Sequence, residues 1–358
     1  MTAPVAPVLV NSVVGGHAVA AATLGLPLAG ASRASVLAAP LVAAAWARGV
    51  GAEARRARTP VRTEPVVTPD YAGITAEAAP GDHDVLRGVA DWFAAVAEHA
   101  LEEGEFATVR RNFLSRTPPS ARWSDAVRRA LFGDRHRYGV GHDERIAHAT
   151  GCEPADVTAA ARDLLGPRPD VPRPPPSARR PVRVRLPAEG GAACHLLGTP
   201  GVGLGSEDKY ALHVAWALLG GRDGMLDRRL RGEYALTYSL AAFSREFAEG
   251  GYGACFAACA PGTEDEVAER TGEVLRTLGR GAFDTTLVDS AKERLIIGNH
   301  RSLQSGRGVT ERLCGYEIAG ADPGGITEYA RHVGAVTPDL VAAVARRHIG
   351  GNDLGGEA

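Results

Sequence analysis

Apolar and polar positions along this chain follow two periods, and the order in which those periods appear recurs. Near the N-terminus, V-A-P-V-L-V-N-S-V-V and H-A-V-A-A-A-T-L are short apolar runs that read as strands. Segments 35–48, 84–102, 120–132 and 154–165 carry apolar residues at helical spacing and are expected to be helices. There follows G-P-R-P-D-V-P-R-P-P-P-S-A-R-R-P, whose repeated prolines forbid helix and favour an extended connector. It divides the chain into residues 1–166, a linker at 167–181, and residues 182–358. Beyond it the order repeats, with strands at 182–186 and 192–197 and helices at 206–219 and 224–231. A hairpin-like pair comes next, L-T-Y-S-L-A-A-F-S-R-E-F and G-Y-G-A-C-F-A-A-C-A, joined at 248–251. Thr263 opens an amphipathic helix whose first turn holds Glu264, Asp265 and Glu266, where the helix dipole favours anions, and Asp284 is expected to cap the helix after it. The pattern predicts an α+β protein of two similar halves, each a sheet covered by helices.

Composition narrows the functional classes. With 40 Lys and Arg against 42 Asp and Glu, the formal charge is -2, so no strong field points to nucleic acid or an anionic membrane. Only Lys209 and Lys292 are lysines, a bias read as bacterial genome composition. The basic segments R-R-A-R and V-R-R lack interleaved aromatics and are taken as solvated faces. The apolar first fifty residues have no Lys or Arg before Arg33 and are broken by Asn11, His17, Pro27 and Ser32, so neither a signal peptide nor a membrane span is expected. Cys152, Cys194, Cys255, Cys259 and Cys314 fit no metal spacing; the nearest pair, four apart on a strand, would be roughly 13 Å apart, too far for a disulfide. Reduced, structural thiols in a cytoplasmic protein are expected.

The segment Leu218 to Leu240, L-L-G-G-R-D-G-M-L-D-R-R-L-R-G-E-Y-A-L-T-Y-S-L, resembles a signature of the pitrilysin/insulinase metallopeptidases: L-G-G-G, a short helix, then R-x-x-x-G-L-A-Y-S. The D-K-Y-A-L-H-V-A-W-A segment before it, the two strands after it and A-K-E-R-L fall in the family's order. In the first half, A-L-F-G-D-R-H-R-Y-G-V-G-H-D-E-R-I resembles a family segment with an H-P-Y-G turn, Arg137 standing where the proline is usual. The resemblance implies two homologous half-domains, each a mainly antiparallel sheet covered by helices, forming one lobe of a clamshell.

The family's chemistry uses H-x-x-E-H on a helix, two His one turn apart holding zinc while Glu activates water. No such motif occurs. Counting back from Ala47 to Gly49, where that helix ends in the family, puts Pro40 and Ala44 at the histidine positions and Ala43 at the glutamate, and the third ligand would fall near Arg111 and Asn112. None of these residues binds zinc. A-V-A-E-H, ending at Glu98 and His99, lacks its first ligand and is read as chance.

What the resemblance does carry over is Arg231 and Tyr238, at the family's usual separation. There the Tyr hydroxyl donates to the oxyanion forming on the scissile carbonyl and the Arg binds a substrate carbonyl. The competing reading keeps Tyr238 as a strand residue with a wet hydroxyl and Arg231 as a cation near a helix C-terminus stopped by Gly232. The resemblance thus implies the non-zinc subunit of a heterodimeric peptidase: inactive alone, with no cofactor in this chain, zinc in a homologous partner, and a peptide as substrate, as in precursor or leader-peptide processing. The alternative is a noncatalytic scaffold or peptide-binding protein of the same fold. G-V-G-L-G at 201–205 lacks the rest of a phosphate-binding fingerprint and reads as a strand-to-helix loop. His136, His142 and His148, six apart, suit no metal geometry, and no G-x-S-x-G elbow occurs.

Overall fold

The computed structural model describes residues 8–12, 20–79, 83–115, 121–166, 180–186 and 193–350. In chain order the elements before the Pro-rich segment are β1 (Val8–Ser12), β2 (Ala20–Pro27), α1 (Arg33–Arg56), β3 (Val61–Val67), β4 (Tyr71–Ala78), α2 (His83–Val96), α3 (Glu103–Leu114), α4 (Ala121–Phe132), α5 (His142–Gly151) and α6 (Pro154–Leu165). After it come β5 (Val182–Arg185), β6 (Ala193–Gly201), α7 (Asp208–Leu219), a π-helical stretch Asp227–Glu233, β7 (Thr237–Glu246), β8 (Gly251–Cys259), α8 (Glu264–Gly279), α9 (Thr286–Ser302), α10 (Gly306–Ala319) and the short helices α11 (Gly324–Thr327), α12 (Tyr329–Gly334) and α13 (Pro338–Val344). Two antiparallel four-stranded sheets result, with the same order in each: β1-β2-β4-β3 and β5-β6-β8-β7. The predicted α+β class and the internal duplication are both present.

The compact units do not follow the linker alone. One takes residues 1–119, 140–173 and 300–323, the other 120–139, 174–299 and 324–358, so the division at 167–181 is crossed by a segment from each side; residues 167–179 of the linker lie outside the described residues.

The exchange follows from the central strands, which are buried on both faces. In the first unit Ala20, Ala22, Leu24 and Leu26 of β2 and Ala72, Ile74, Ala76 and Ala78 of β4 share a core with α1 and α6. The alternate residues face the other way, onto α10. There Thr23 Oγ1 lies 3.1 Å from Thr75 Oγ1 and 2.8 Å from Thr310 Oγ1, all three buried. Tyr71 donates through its hydroxyl to the Glu311 carbonyl at 2.9 Å. A Cβ on Gly25 would sit 2.5 Å from Cys314 Sγ, so glycine sets the distance at which α10 approaches. Burial pushes the Cys314 thiol up to about 12, which marks it as an inert filler. Cys152, Cys255 and Cys259 are likewise buried, Cys194 is half-buried, and none of the five forms a disulfide.

The second unit repeats the solution. Leu197, Cys255, Ala257 and Cys259 face α7 and α8, while Leu196, Tyr252 and Ala254 face Val127 and Leu131 of α4. A Cβ on Gly198 would meet Val127 Cγ1 at 2.4 Å. The turn after α4 is fixed by Arg137, which donates to Glu249 at 2.8 Å and to the Tyr138 hydroxyl at 2.9 Å. Burial alone would raise the Glu249 carboxyl, yet hydrogen bonds from His136 and Arg137 outweigh it and hold the group below the usual range. Arg137, where the family's proline stands, is thus a docking residue here.

Several expectations shift. α1 runs on to Arg56, with Ser32 capping it through the Ser35 N–H at 3.2 Å and Pro40 inside it. It is long and apolar enough to cross a membrane by length and composition, but its apolar face is the one buried on the sheet. Strands β3 and β4 and helix α3 emerge between 61 and 114, where the pattern predicts only the helix at 84–102. α2 stops at Val96, so Glu98 and His99 lie in the turn after it rather than on a helix face. Asp284 accepts from the Thr286 N–H at 2.9 Å, as a cap does, whereas Thr263 makes no side-chain cap. Truncating the exchanged helix at Leu131→Ala should lower stability by about 3 kcal/mol, the usual cost of a buried Leu; urea denaturation followed by far-UV circular dichroism measures it, and a loss under about 1 kcal/mol would contradict the role given to α4.

Candidate functional site

The segment from Leu218 to Leu240 belongs to the second unit and is built from tight turns. Gly220 ends α7, then Gly221 at φ +82 and Asp223 at φ +65 take left-handed conformations. Gly224 has no room for a side chain, since a Cβ would meet the Gly220 carbonyl oxygen at 2.4 Å. The chain then forms the π-helical stretch Asp227–Glu233, anchored by the fully buried Leu226 and Leu230. Gly232 does not stop this element; the stop is Ala235, at φ +52, with the Leu236 N–H reaching back to the Leu230 carbonyl at 2.7 Å. A left-handed residue that closes a helix is normally glycine, and alanine there costs about 1 kcal/mol. Wide helix, strained turn and strand start therefore follow one another within a dozen residues, a concentration typical of functional segments.

Arg231 and Tyr238 flank that turn. The Arg231 side chain is 58% exposed, and its contact with Asp227 at 3.5 Å is loose, an exposed pair of little energetic weight. Tyr238 is 57% exposed. It sits where the β7–β8 register slips, between Thr237 opposite Cys259 and Ser239 opposite Ala258. A bulge of this kind frees one residue from the ladder and re-aims its side chain, and on the edge strand β7 it leaves the Tyr238 ring in solvent. Beside it lies a feature the sequence did not announce: Tyr234 is held between Arg229, 4.8 Å from the ring centroid, and Arg270 of α8 at 4.4 Å. Glu273 joins the two arginines, 3.0 Å from Arg229 and 2.9 Å from Arg270. The R-R-L-R-G-E-Y string supplies half of this clamp; the other half comes from some forty positions away, beyond the reach of local pattern.

The far end of β7 is fixed by a buried polar group. His213 of α7 bonds Glu246 at 2.8 Å through Nε2 and the Tyr329 hydroxyl at 2.9 Å through Nδ1, and Ser244 donates to Glu246. Burial pushes the Glu246 carboxyl up, but the His213 charge and the hydrogen bonds from His213 and Ser244 outweigh it and leave it below its usual value. The sign follows: a carboxyl depressed in the folded state adds stability above its unfolded pKa of about 4.3, and that stability is lost as pH falls through the lower folded value. The stability advantage of the wild type over Glu246→Gln should accordingly be full near about pH 6 and shrink toward about pH 3. Urea denaturation at the two pH values tests this, and a gap independent of pH would show that Glu246 is not held ionised by its neighbours.

The positions that the resemblance aligns with zinc ligands fall in the first unit. Pro40 and Ala44 line one pocket together with Asn112, near which the third ligand was expected, while Ala43 is fully buried in the core. A pyrrolidine ring whose nitrogen belongs to the peptide bond, a methyl group and a carboxamide form no zinc donor set, so the residues present do not fit the metal, and no step in this chain runs through it. Among the described residues no group of three or more His, Cys, Asp or Glu is placed to hold a metal ion. His136 accepts from the Tyr138 N–H at 3.2 Å and lies 3.4 Å from Glu249; His142 packs edge-on to Phe113. The G-V-G-L-G run is the end of β6 and its loop to α7, tied by the Leu204 N–H to the Phe247 carbonyl at 2.8 Å.

Residues 149–295 match the family model described as the Peptidase M16 inactive domain. An uncharacterized zinc protease of Streptomyces coelicolor is 26% identical over 156 residues, which cover 43% of this chain and 34% of that relative; the chain thus matches about a third of the relative's length. Among solved structures, the peptidase M16 inactive domain from Pseudomonas fluorescens aligns with a TM-score of 0.70 at 14% identity, over 96% of this chain and 95% of that one. A protease from Helicobacter pylori aligns with a TM-score of 0.72 at 13% identity, over 96% and 97%. At such identities the structural likeness establishes the fold. The fold over nearly the whole chain is thus that of these M16 structures, and residues 149–295 match the M16 inactive-domain family.

Proposed function

We propose that this chain is the non-zinc subunit of a two-chain zinc peptidase and completes its partner's active site in trans with Arg231 and Tyr238. The observation that carries the reading is Tyr238 itself: a bulge turns it out of the sheet, and it stands next to a strained, π-helical segment that exposes Arg231. A residue serving only the core would have no reason to leave the ladder. The first unit supports the same reading from the other side, since the positions aligned with the metal ligands carry Pro40, Ala44 and Asn112.

In this mechanism the metal and the water-activating carboxylate belong to a homologous partner bearing H-x-x-E-H. This chain's share is electrostatic. As the scissile carbonyl becomes tetrahedral, the Tyr238 hydroxyl donates a hydrogen bond to the developing oxyanion, a contact stronger in the transition state than in the ground state. Arg231 donates to a neighbouring substrate carbonyl and holds the peptide in register. The clamp of Arg229 and Arg270 on Tyr234 and the anchor at Glu246 keep the two ends of the displaying segment in place. Processing of a precursor or leader peptide fits an enzyme split between two chains, and it rests on the family alone.

Mixing this chain with a zinc-bearing homologue from the same genome and following a quenched-fluorescent peptide tests the proposal. Activity should appear only in the mixture. Tyr238→Phe should lower kcat about 100-fold or more, as loss of an oxyanion donor does, while size-exclusion chromatography shows the complex intact. Unchanged turnover with Tyr238→Phe would make the chain a scaffold.

A further inference from the structure

We infer that the pocket between α1, β3 and α3 in the first unit binds an acidic, apolar peptide segment, with Arg48 and Arg55 receiving its side-chain carboxylates. This goes beyond trans completion and rests on neither Arg231 nor Tyr238.

The cavity measures about 420 Å³, within the range of about 300–1,000 Å³ usual for ligand sites. Its walls are apolar at Pro40, Ala44, Ala47, Val67, Val109 and Phe113, and Arg48 and Arg55 line it from α1. The charges around it are unevenly matched. Glu53 is taken by Arg56, and Glu64 by Arg62 and Arg307, which also holds Glu311. Among the described residues neither the Arg48 nor the Arg55 side chain has a hydrogen-bond or ion-pair partner. Arg55 nonetheless folds back along its helix: a Cβ on Gly51, itself a lining residue, would lie 3.5 Å from Arg55 Nη1. Two cations beside an apolar cavity, against the single carboxylate of Glu105 in its lining, are complementary to a ligand that brings carboxylates and apolar side chains together. Glu105, the one carboxylate in the lining, suits the N–H groups of a peptide and disfavours a compact polyanion such as phosphate.

The spacing favours a segment over a single ion. Arg48 and Arg55 are two turns apart, about 10 Å along the helix, which is the reach of about three residues of extended chain. β3 forms the wall and is an edge strand, but Pro65 in its middle has no N–H to offer. Strand addition is therefore weakened at this edge, and recognition falls to the side chains.

The test uses the full chain alone, without partner or peptidase assay, so its failure would leave the proposal for Arg231 and Tyr238 untouched. A fluorescein-labelled, C-terminally amidated peptide alternating Leu and Glu is titrated by fluorescence anisotropy. It should bind at least about tenfold tighter than its Lys-for-Glu or Ser-for-Leu counterparts. The double variant Arg48→Ala and Arg55→Ala, at exposed positions that leave the far-UV spectrum unchanged, should lose at least about tenfold in affinity for the Leu–Glu peptide. Equal binding of the acidic and basic peptides, equal binding of the Leu and Ser versions, or a double variant that binds like the wild type would each overturn the inference.

Discussion

Strands β2, β4, β6 and β8 are largely buried on both faces, and the packing of each unit accommodates that fact. One face of each sheet is covered locally, by α1 and α6 or by α7 and α8. The other face, apolar in the second sheet at Leu196, Tyr252 and Ala254, would otherwise meet water, at about 25 cal/mol for each Å² of apolar surface exposed. The chain solves this by sending α4 to the second sheet and α10 to the first. Each travelling helix is then fastened by polar contacts suited to its place, a cluster of three threonine hydroxyls under α10 and the Arg137–Glu249 pair after α4. Glycine at positions 25 and 198 sets how close each helix lies.

That rigid scaffold lets a short stretch between α7 and β7 be irregular. A π-helical segment, three residues at positive φ and a bulge would each destabilise an isolated chain; here Leu226 and Leu230 sink into a formed core and hold the backbone around them. The irregularity is what brings Arg231 and Tyr238 to the surface. In the first unit the same economy of space works differently. Where the family's metal ligands align, small and ring-closed side chains leave a cavity, and the chemistry at its rim is that of arginine.

The duplicated element order, the hairpin of β7 and β8, the bounds of α6 and the cap at Asp284 were readable because each depends on neighbours within a turn or two. The segment from Leu218 to Leu240 was readable for a similar reason, since its glycines, Arg231 and Tyr238 sit at fixed spacing along one stretch. Strands β3 and β4 were not. Pro65 interrupts the one, and Gly73 the other, and such residues signal loops until an edge position or a close backbone crossing gives them a place in a sheet.

By itself, then, the sequence determined the class of fold, the repetition, and the absence of zinc donors at Pro40, Ala43 and Ala44, because these follow from residue chemistry and local period. Only the tertiary structure decided which helix covers which sheet, that Ala235 rather than Gly232 ends the π-helical stretch, that Tyr238 is bulged outward, and that Arg48 and Arg55 share a cavity with Asn112. Those outcomes depend on partners distant in sequence, such as Thr23 and Thr310, separated by 287 positions. Contacts of that range are fixed by how whole faces fill space, and no local periodicity encodes them.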